Sequence, residues 1–462
     1  MFALLIFDLR NPPVCESGAD PERGLTDEEL RSFSVDGLTD NDVYVIPLCN
    51  TFPMGFGWSS YAAQSTMLAA CRRIGYGDDH FLTGERVLPA SQDVRVAIAT
   101  DDINVFERLS PGEVGSSGPP PLSALDDDWI AHGIVGHDDK AADRQRNARV
   151  LGVDLREGWR LQARGDKVLR IIEAVCDFAN LQQCSPLDVS TLVGQLQWQA
   201  LLNRPLFSAF DKVYEFSHRQ PDKVARALDT EVLSELLLIA ALCPFWSCDL
   251  SRPWWPHIVA TDASPTYGFG MCVAKCAPSL TRATAAAAAD PECIVRMRRE
   301  EGDPAEVARV GKEFRLPLAL GDFIDVFSLR ADTVVHSGAL EMQAVKLALL
   351  RVTRQRRHHG HRGVVLVDAR AVGFTLQKGR TSAKTLWRGC LGVAAICLAT
   401  DLKLAFPYVP SESNAADFPS RGLVRRRTRR RKPQKLAKSK FEEARSAERR
   451  ALRHLRACGW SG

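Results

Sequence analysis

Apolar residues along this chain fall into three successive patterns, and the changes between them divide it. In residues 1–160 they fall in short runs, ALLIF, VYVIPL, VRVAIA, INVF and VLGVDL, separated by polar or glycine-rich stretches. Short runs bounded by turn residues predict strands. PMGFGWSSYAAQS predicts a glycine-rich turn that opens a helix, and SPGEVGSSGPPP (110–121) a loop. From about 165 to 245 apolar residues recur at three- and four-residue spacing, in IIEAVCDFANLQQ and TLVGQLQWQALLN, which predicts helices. Ser185-Pro186 marks a helix start, and SRPWWP a boundary. From 257 to 421 strand-like and helix-like stretches alternate. HIVATDAS and YGFGMCVA predict a hairpin, followed by a strand around DVFSLRA, helix GALEMQAVKLALLRV, strand GVVLVDA, helix SAKTLWRGCLGVAAICLA and strand LAFPYVP. The predicted fold class is therefore mixed α/β (α+β), with parts at 1–160, 161–250, 255–421 and 422–462. An alanine-bearing insertion is expected at about 277–320, and a helix near the end, from Lys440 to Ala457.

Composition adds one fact that the pattern does not show. The 462 residues are 45% hydrophobic and 25% charged, with a net charge of +4. Such values exclude a mostly disordered chain or a small disulfide scaffold. The charge is unevenly spread. Residues 421–462 hold 16 Lys/Arg against 3 Glu, a net of +13, which leaves −9 for residues 1–420. An acidic body with a basic tail points to a polyanionic partner, most simply nucleic acid. No apolar run, LLLIAALCPFW included, approaches the roughly 18 residues of a membrane helix, and MFALLIFDLR lacks the features of a signal peptide. The 13 Cys include no CxxC pair, and Cys243/Cys248 and Cys272/Cys276 lack nearby His partners. They read as reduced thiols. The expected location is intracellular, cytoplasmic and/or nuclear, with no membrane partner.

Four carboxylates of the third part share a context. Asp262 follows the strand HIVAT, Glu341 opens a helix, Asp368 ends the strand VVLV, and Asp417 lies in SESNAADFPSR after a strand. One Asp after a strand is commonly a turn former. Four gathered from element ends make an all-oxygen site suited to Mg²⁺, with Mn²⁺ as a substitute. Two such ions about 4 Å apart clamp the attacking and leaving oxygens of a phosphodiester.

TDASPTYGFG, then LEMQA on a helix, then VVLVDA, then NAADFPSR resembles the ribonuclease H domain of retroelements. The resemblance implies the ribonuclease H fold and hydrolysis of RNA in an RNA–DNA hybrid. It also implies Asp262, Glu341, Asp368 and Asp417 as ligands of two Mg²⁺ ions. One departure is that no His lies between His361 and His454, so the loop before Asp417 lacks a general-acid His.

The first part resembles a reverse transcriptase palm. PMGFGWSSYAAQ, with Gly55 and Gln64, is similar to the segment bordering the incoming nucleotide, ATDDINVF to the paired-aspartate hairpin, and VLGVDL to a following palm strand. LVGQLQWQALLNRP resembles the helical connection between polymerase and nuclease. In this order, from Val43 to Arg421, the pieces resemble a retroelement reverse transcriptase–ribonuclease H, of DIRS-like type. The resemblance implies an RNA template and DNA as partners, and Asp101 and Asp102 as metal ligands. Asp8, after ALLIF, is the candidate third palm carboxylate, but Asn11-Pro12-Pro13 stands where the family has an aromatic residue. The alternative is a truncated or misjoined copy, and a fingers segment is expected to be missing. Tyr76-Gly77-Asp78-Asp79 imitates the paired-aspartate motif, but its polar flanks cannot form two buried strands. Two other classes remain: a catalytically dead nucleic-acid-binding remnant, and an integrase-like phosphoryl transferase.

Several other features carry paired readings. Trp254-Trp255 could stack on bases or anchor the boundary. His358, His359 and His361, beside Arg356 and Arg357, could meet phosphates or form a solvated loop. Lys378 and Arg380 sit in a glycine-containing turn that could hold a backbone phosphate. Arg421 could steady the Asp417 loop. Arg426, Arg427, Arg429, Arg430 and Arg431 make a run dense enough for phosphate binding or nuclear import.

Overall fold

The structure is a computed structural model and describes residues 59–83, 93–108, 122–134, 145–332 and 336–423. The strands expected at ALLIF and VYVIPL, the loop 110–121 and the tail beyond 423 lie outside the described residues. The chain forms two units, Met1–Ala69 and Ala70–Gly462. The described residues of the first belong to helix α1 (Ser59–Arg73). All later elements belong to the second.

β1 (Val94–Ala99) and β2 (Asp102–Glu107) form the expected hairpin, with Ala99 opposite Asp102 and Thr100-Asp101 as the turn. Thr100 has φ +58°, a conformation that its branched side chain disfavours. α2 (Leu122–Ala131) follows. β3 (Ala148–Val150), β4 (Val153–Arg156) and β5 (Arg160–Gln162) then form an antiparallel meander. VLGVDL, expected as one strand, is two. Leu151 and Gly152, at φ +49° and +78°, turn the chain so that Val150 pairs with Val153. Both turn residues need positive φ in such a turn, and leucine there gives no warning in the sequence.

The helical segment contains α3 (Gly165–Leu181), α4 (Pro186–Ala200), α5 (Lys212–Ser217) and α6 (Thr230–Ala241). Two short strands, β6 (Gln183–Cys184) and β7 (Arg226–Ala227), pair beside them, and β8 (Ser247–Asp249) returns to β5. α4 starts where Ser185-Pro186 predicts. Ser185 Oγ accepts from Asp188 N and Asp188 Oδ2 accepts from Ser185 N, each at 3.1 Å. This reciprocal cap satisfies two backbone donors that the helix leaves open. Val189, Leu192, Val193 and Leu196 of α4 bury against Phe216, Leu236, Ile239 and Trp246.

The C-terminal body is a mixed five-stranded sheet. β9 (His257–Ala263) and β10 (Gly268–Lys275) make the expected hairpin, and the order across the sheet is β13-β10-β9-β14-β15. β13 (Ile324–Arg330) is antiparallel to β10, whereas β14 (Arg362–Leu366) and β15 (Lys403–Ala405) run parallel to β9 and to each other. α8 (Ser337–Thr353), α9 (Arg370–Lys378) and α10 (Lys384–Thr400) cover one face. The insertion covers the other, with α7 (Pro278–Ala286) and the parallel pair β11 (Ile294–Arg298) and β12 (Glu313–Ala319). Residues of β9 therefore alternate between two cores: Val259 meets the helices, and Ile258 and Ala260 the insertion. A strand buried on both faces reads as a continuous apolar run, as HIVA does. No described helix is long and apolar enough to cross a membrane, and every described cysteine is a free thiol.

Trp255 anchors the boundary. It is fully buried and donates from Nε1 to His358 O at 3.1 Å, and its ring lies flat on His257. A Cβ added at Gly363 would overlap that indole ring. Gly363→Ala is expected to destabilise the chain by about 1–3 kcal/mol, because overpacking a closed core forces rotamer or backbone shifts. Thermal denaturation checks this, and an unchanged melting temperature contradicts it.

Candidate metal centre

Three element ends converge at one end of the central strands of the five-stranded sheet. Asp262 is the next-to-last residue of the central strand β9, Glu341 lies in the first turns of α8, and Asp368 follows β14. Their carboxylate oxygens lie within 4.8 Å of one another. α8 begins with His336 as its cap, where Nδ1 accepts from Gly338 N at 3.2 Å. This start directs Glu341 toward β9, and its Oε1 accepts from Ala263 N at 3.2 Å.

Asp262 is 4% exposed and held by short-range donors. Ser420 Oγ donates to its Oδ2, and Asn414 Nδ2, which donates to Thr261 O at 2.9 Å, lies 3.4 Å from its Oδ1. Ser411 Oγ donates to Asp368 Oδ2 at 3.0 Å. Asp417 opens the short helix α11 (Asp417–Ser420), but it stands outside the three-carboxylate cluster. Arg421 claims it, with Nε at 2.9 Å and Nη2 at 2.8 Å from Oδ1. Gly270 makes this layout possible, since a Cβ there would collide with Ala416 O and Ser420 N.

The electrostatics are those of crowded like charges. Burial, then the neighbouring Asp368 and Asp417 charges, push the Asp262 carboxyl up to about 8. Burial, then Asp368 and Asp262, push Glu341 up to about 10. Like charges in a low-dielectric site disfavour ionisation. An all-oxygen donor set of this charge fits a hard divalent cation, which would offset the repulsion.

The remaining sequence-predicted residues are distributed elsewhere. Asp101 and Asp102 are exposed at the hairpin tip, as expected. Gln64 is an exposed residue of α1, in the first unit. Asp8, Gly55, Arg426, Arg427, Arg429, Arg430 and Arg431 lie outside the described residues. Lys378 is exposed at the end of α9. Arg380 reaches back to the helical segment, with its guanidinium over Phe207 at 5.6 Å and Nη1 3.4 Å from Tyr214 Oη. Tyr76–His80 forms a turn in which Asp78 pairs with Arg72 at 2.7 Å. Sequence reasoning missed Asn414, Ser420 and Ser411 as supports of the carboxylates. The signal was present in the spacing of Asn414, Asp417 and Ser420, polar residues three apart among apolar neighbours.

The raised carboxyls have a pH consequence. The folded chain holds protons on Asp262 and Glu341 that the unfolded chain releases near pH 4. Without a divalent ion their contribution is complete below about pH 4 and is lost as pH rises through the folded values of about 8 and about 10. Asp368→Asn leaves the burial but removes the largest neighbouring charge that raises both. In metal-free buffer this variant is expected to melt a few degrees above wild type at pH 8, about 1 kcal/mol. It is expected to lose most of the stabilisation that Mg²⁺ gives the wild type. Equal pH slopes for the two proteins would refute this account.

No protein-family model matches the chain, and no curated protein matches it. Among solved structures it is similar to a foamy viral protease–reverse transcriptase in complex with double-stranded DNA. The TM-score is 0.32 and the identity 13%, over 76% of this chain and 48% of that one. The chain thus spans about half the length of that protein.

Proposed function

We propose that this chain is a retroelement-derived, divalent-metal-dependent nuclease of the ribonuclease H type that cuts RNA in an RNA–DNA hybrid, joined to part of a reverse transcriptase palm. The observation that carries the reading is the convergence of Asp262, Glu341 and Asp368 at the ends of the central strands of a mixed sheet of order β13-β10-β9-β14-β15.

Asp262, Glu341 and Asp368 would hold Mg²⁺, with Asp417 joining when Arg421 releases it. Bound there, the metal supplies Lewis-acid stabilisation of the phosphate and a more acidic water. Asn414 and Ser420 fix the buried Asp262, the Ala263 amide fixes Glu341, and Ser411 fixes Asp368. Held this way, the carboxylates need no reorganisation as charge develops on the phosphate. Arg421 is exposed beside Asp417 and sets a positive charge at the mouth, suited to a strand phosphate. With no His between His361 and His454, the leaving oxygen takes its proton through water. Asp101 and Asp102, with Asp8, are the proposed metal ligands of the palm, and the tail arginines a phosphate-binding arm.

The Arg421–Asp417 pair favours one second reading. If Asp417 never leaves Arg421, the site keeps three carboxylates, and the chain is a non-catalytic nucleic-acid-binding remnant. Purified protein with Mg²⁺ and a labelled RNA–DNA hybrid separates the two. Cleavage is expected in wild type and should fall by on the order of 100-fold or more in Asp262→Asn and Asp368→Asn. Cleavage unaffected by either substitution would sink the assigned site, and salt-sensitive binding without Mg²⁺-dependent turnover would establish the remnant.

A further inference from the structure

We infer that Arg296, in the insertion between β10 and β13, is a positioning residue for the carboxylate centre, acting through Glu412. The inference rests on the nuclease reading and extends it to a segment that a minimal domain of this kind would lack.

Arg296 lies on β11 and is only 1% exposed. Its guanidinium reaches three acceptors in different segments: Nε to Glu313 Oε1 at 2.7 Å, Nη2 to Val307 O at 2.7 Å, and Nη1 to Glu412 Oε1 at 3.3 Å. Glu412 also takes Val307 N at 3.2 Å on Oε1 and Arg309 Nη2 at 3.1 Å on Oε2. The insertion therefore grips Glu412 from three donors. Glu412 stands directly after Ser411, which donates to Asp368, and two residues before Asn414, which donates to Thr261 O beside Asp262.

The grip is backed by main chain and by packing. Val295 N donates to Tyr408 O at 2.9 Å and Val409 N to Val367 O at 3.0 Å, so residues 408–409 are bonded between β11 and the end of β14. The Arg370 guanidinium lies 4.3 Å over the Tyr408 ring. Val409, Ala415 and Ala416 sit in one core with Val295, Met297, Phe314 and Leu316 of the insertion. The loop that supports Asp262 and Asp368 is thus built against the insertion, with a planar fork at the centre. A lysine would donate from a single nitrogen, whereas the guanidinium meets the three acceptors from three different atoms. A buried ion pair is weak evidence for net stability compared with apolar packing, and the inferred effect of this one is on where the loop stands.

The test uses the full chain. Arg296→Met and Glu412→Gln are compared with Lys312→Gln, whose lysine pairs with Asp290 in the same insertion. Two quantities are read: the Mg²⁺ midpoint of the metal-induced melting shift and of hybrid cleavage, and amide hydrogen exchange over 408–420. The expected result is a midpoint about 10-fold higher in both loop variants, the scale of losing a group that orients metal ligands. Exchange should be faster at 408–420 and unchanged in β9, with Lys312→Gln matching wild type. Glu412→Gln keeps its shape and serves if Arg296→Met folds poorly. The inference is overturned if the midpoints do not move, if exchange at 408–420 is unaltered, or if Lys312→Gln shifts the midpoint equally. A wild-type chain that neither binds Mg²⁺ nor cleaves hybrid overturns the nuclease reading and the claim on metal affinity, while exchange still decides whether the insertion holds the loop.

Discussion

Asp262 sits at the end of the central strand of its sheet, nearly sealed from water, with Glu341 and Asp368 within reach. A lone carboxylate in such a place would be protonated or unpaired, and either state is costly. The surrounding structure limits that cost. Ser420 and Asn414 come from a loop that must fold back over β9 to reach it, and Gly270 must lack a side chain for that loop to settle. Two donors cannot compensate three acids, so the metal-free centre relieves its repulsion by holding protons, with Asp262 and Glu341 pushed upward. On the proposed reading the divalent ion resolves this. On that reading the fold holds a geometry whose electrostatic complement would arrive with the ion.

The same demand explains the insertion's place. A sheet whose central strand is buried on both faces needs two covers, and here the second is the segment 277–320 rather than solvent. Once that segment packs against the sheet, its edge β11 is next to residues 408–409, and pairing satisfies backbone groups that would otherwise be buried open. The helical segment is joined in a different way. Trp387 donates to Ser208 O at 3.1 Å, Lys403 to Asn203 Oδ1 at 2.6 Å, and Arg380 lies over Phe207. Arg380, in the turn whose sequence suggested a phosphate cradle, is thereby engaged in a joint. Gly379, against Arg204 O at φ +72°, sets how closely the two parts approach.

What was legible in the chain depended on how local its cause was. The β9–β10 hairpin followed from alternation around a short turn, and α4 from Ser185-Pro186, because a cap acts within one helical turn. Asp262, Glu341 and Asp368 were legible from their shared place at element ends. Long-range or side-chain-masked causes were not. Leu151 at positive φ split an apolar run that contains no turn signal except Gly152. The parallel pairing of β11 with β12 and the hydrogen bond from Val295 N to Tyr408 O join residues that are not neighbours in sequence through chemistry that many other segments could offer. Asp417 shared its context with the other three carboxylates, but Arg421 lies four residues on, where a helical turn brings the two together.

The uneven charge of the chain gains a structural meaning from the centre. Residues 1–420 carry a formal −9, to which the metal-free cluster contributes less than its three carboxyls suggest, because Asp262 and Glu341 are pushed up to about 8 and about 10. A phosphate approaching the metal-free site meets Asp368 and Asp417 first, since they are more exposed than Asp262, and is repelled over roughly a Debye length. Arg421 beside Asp417 is the local counterweight, and the basic run beyond it is continuous with that position in sequence. Along the sequence, acid at 417 and base from 421 onward stand side by side. On the proposed reading, metal occupancy shifts the balance between them.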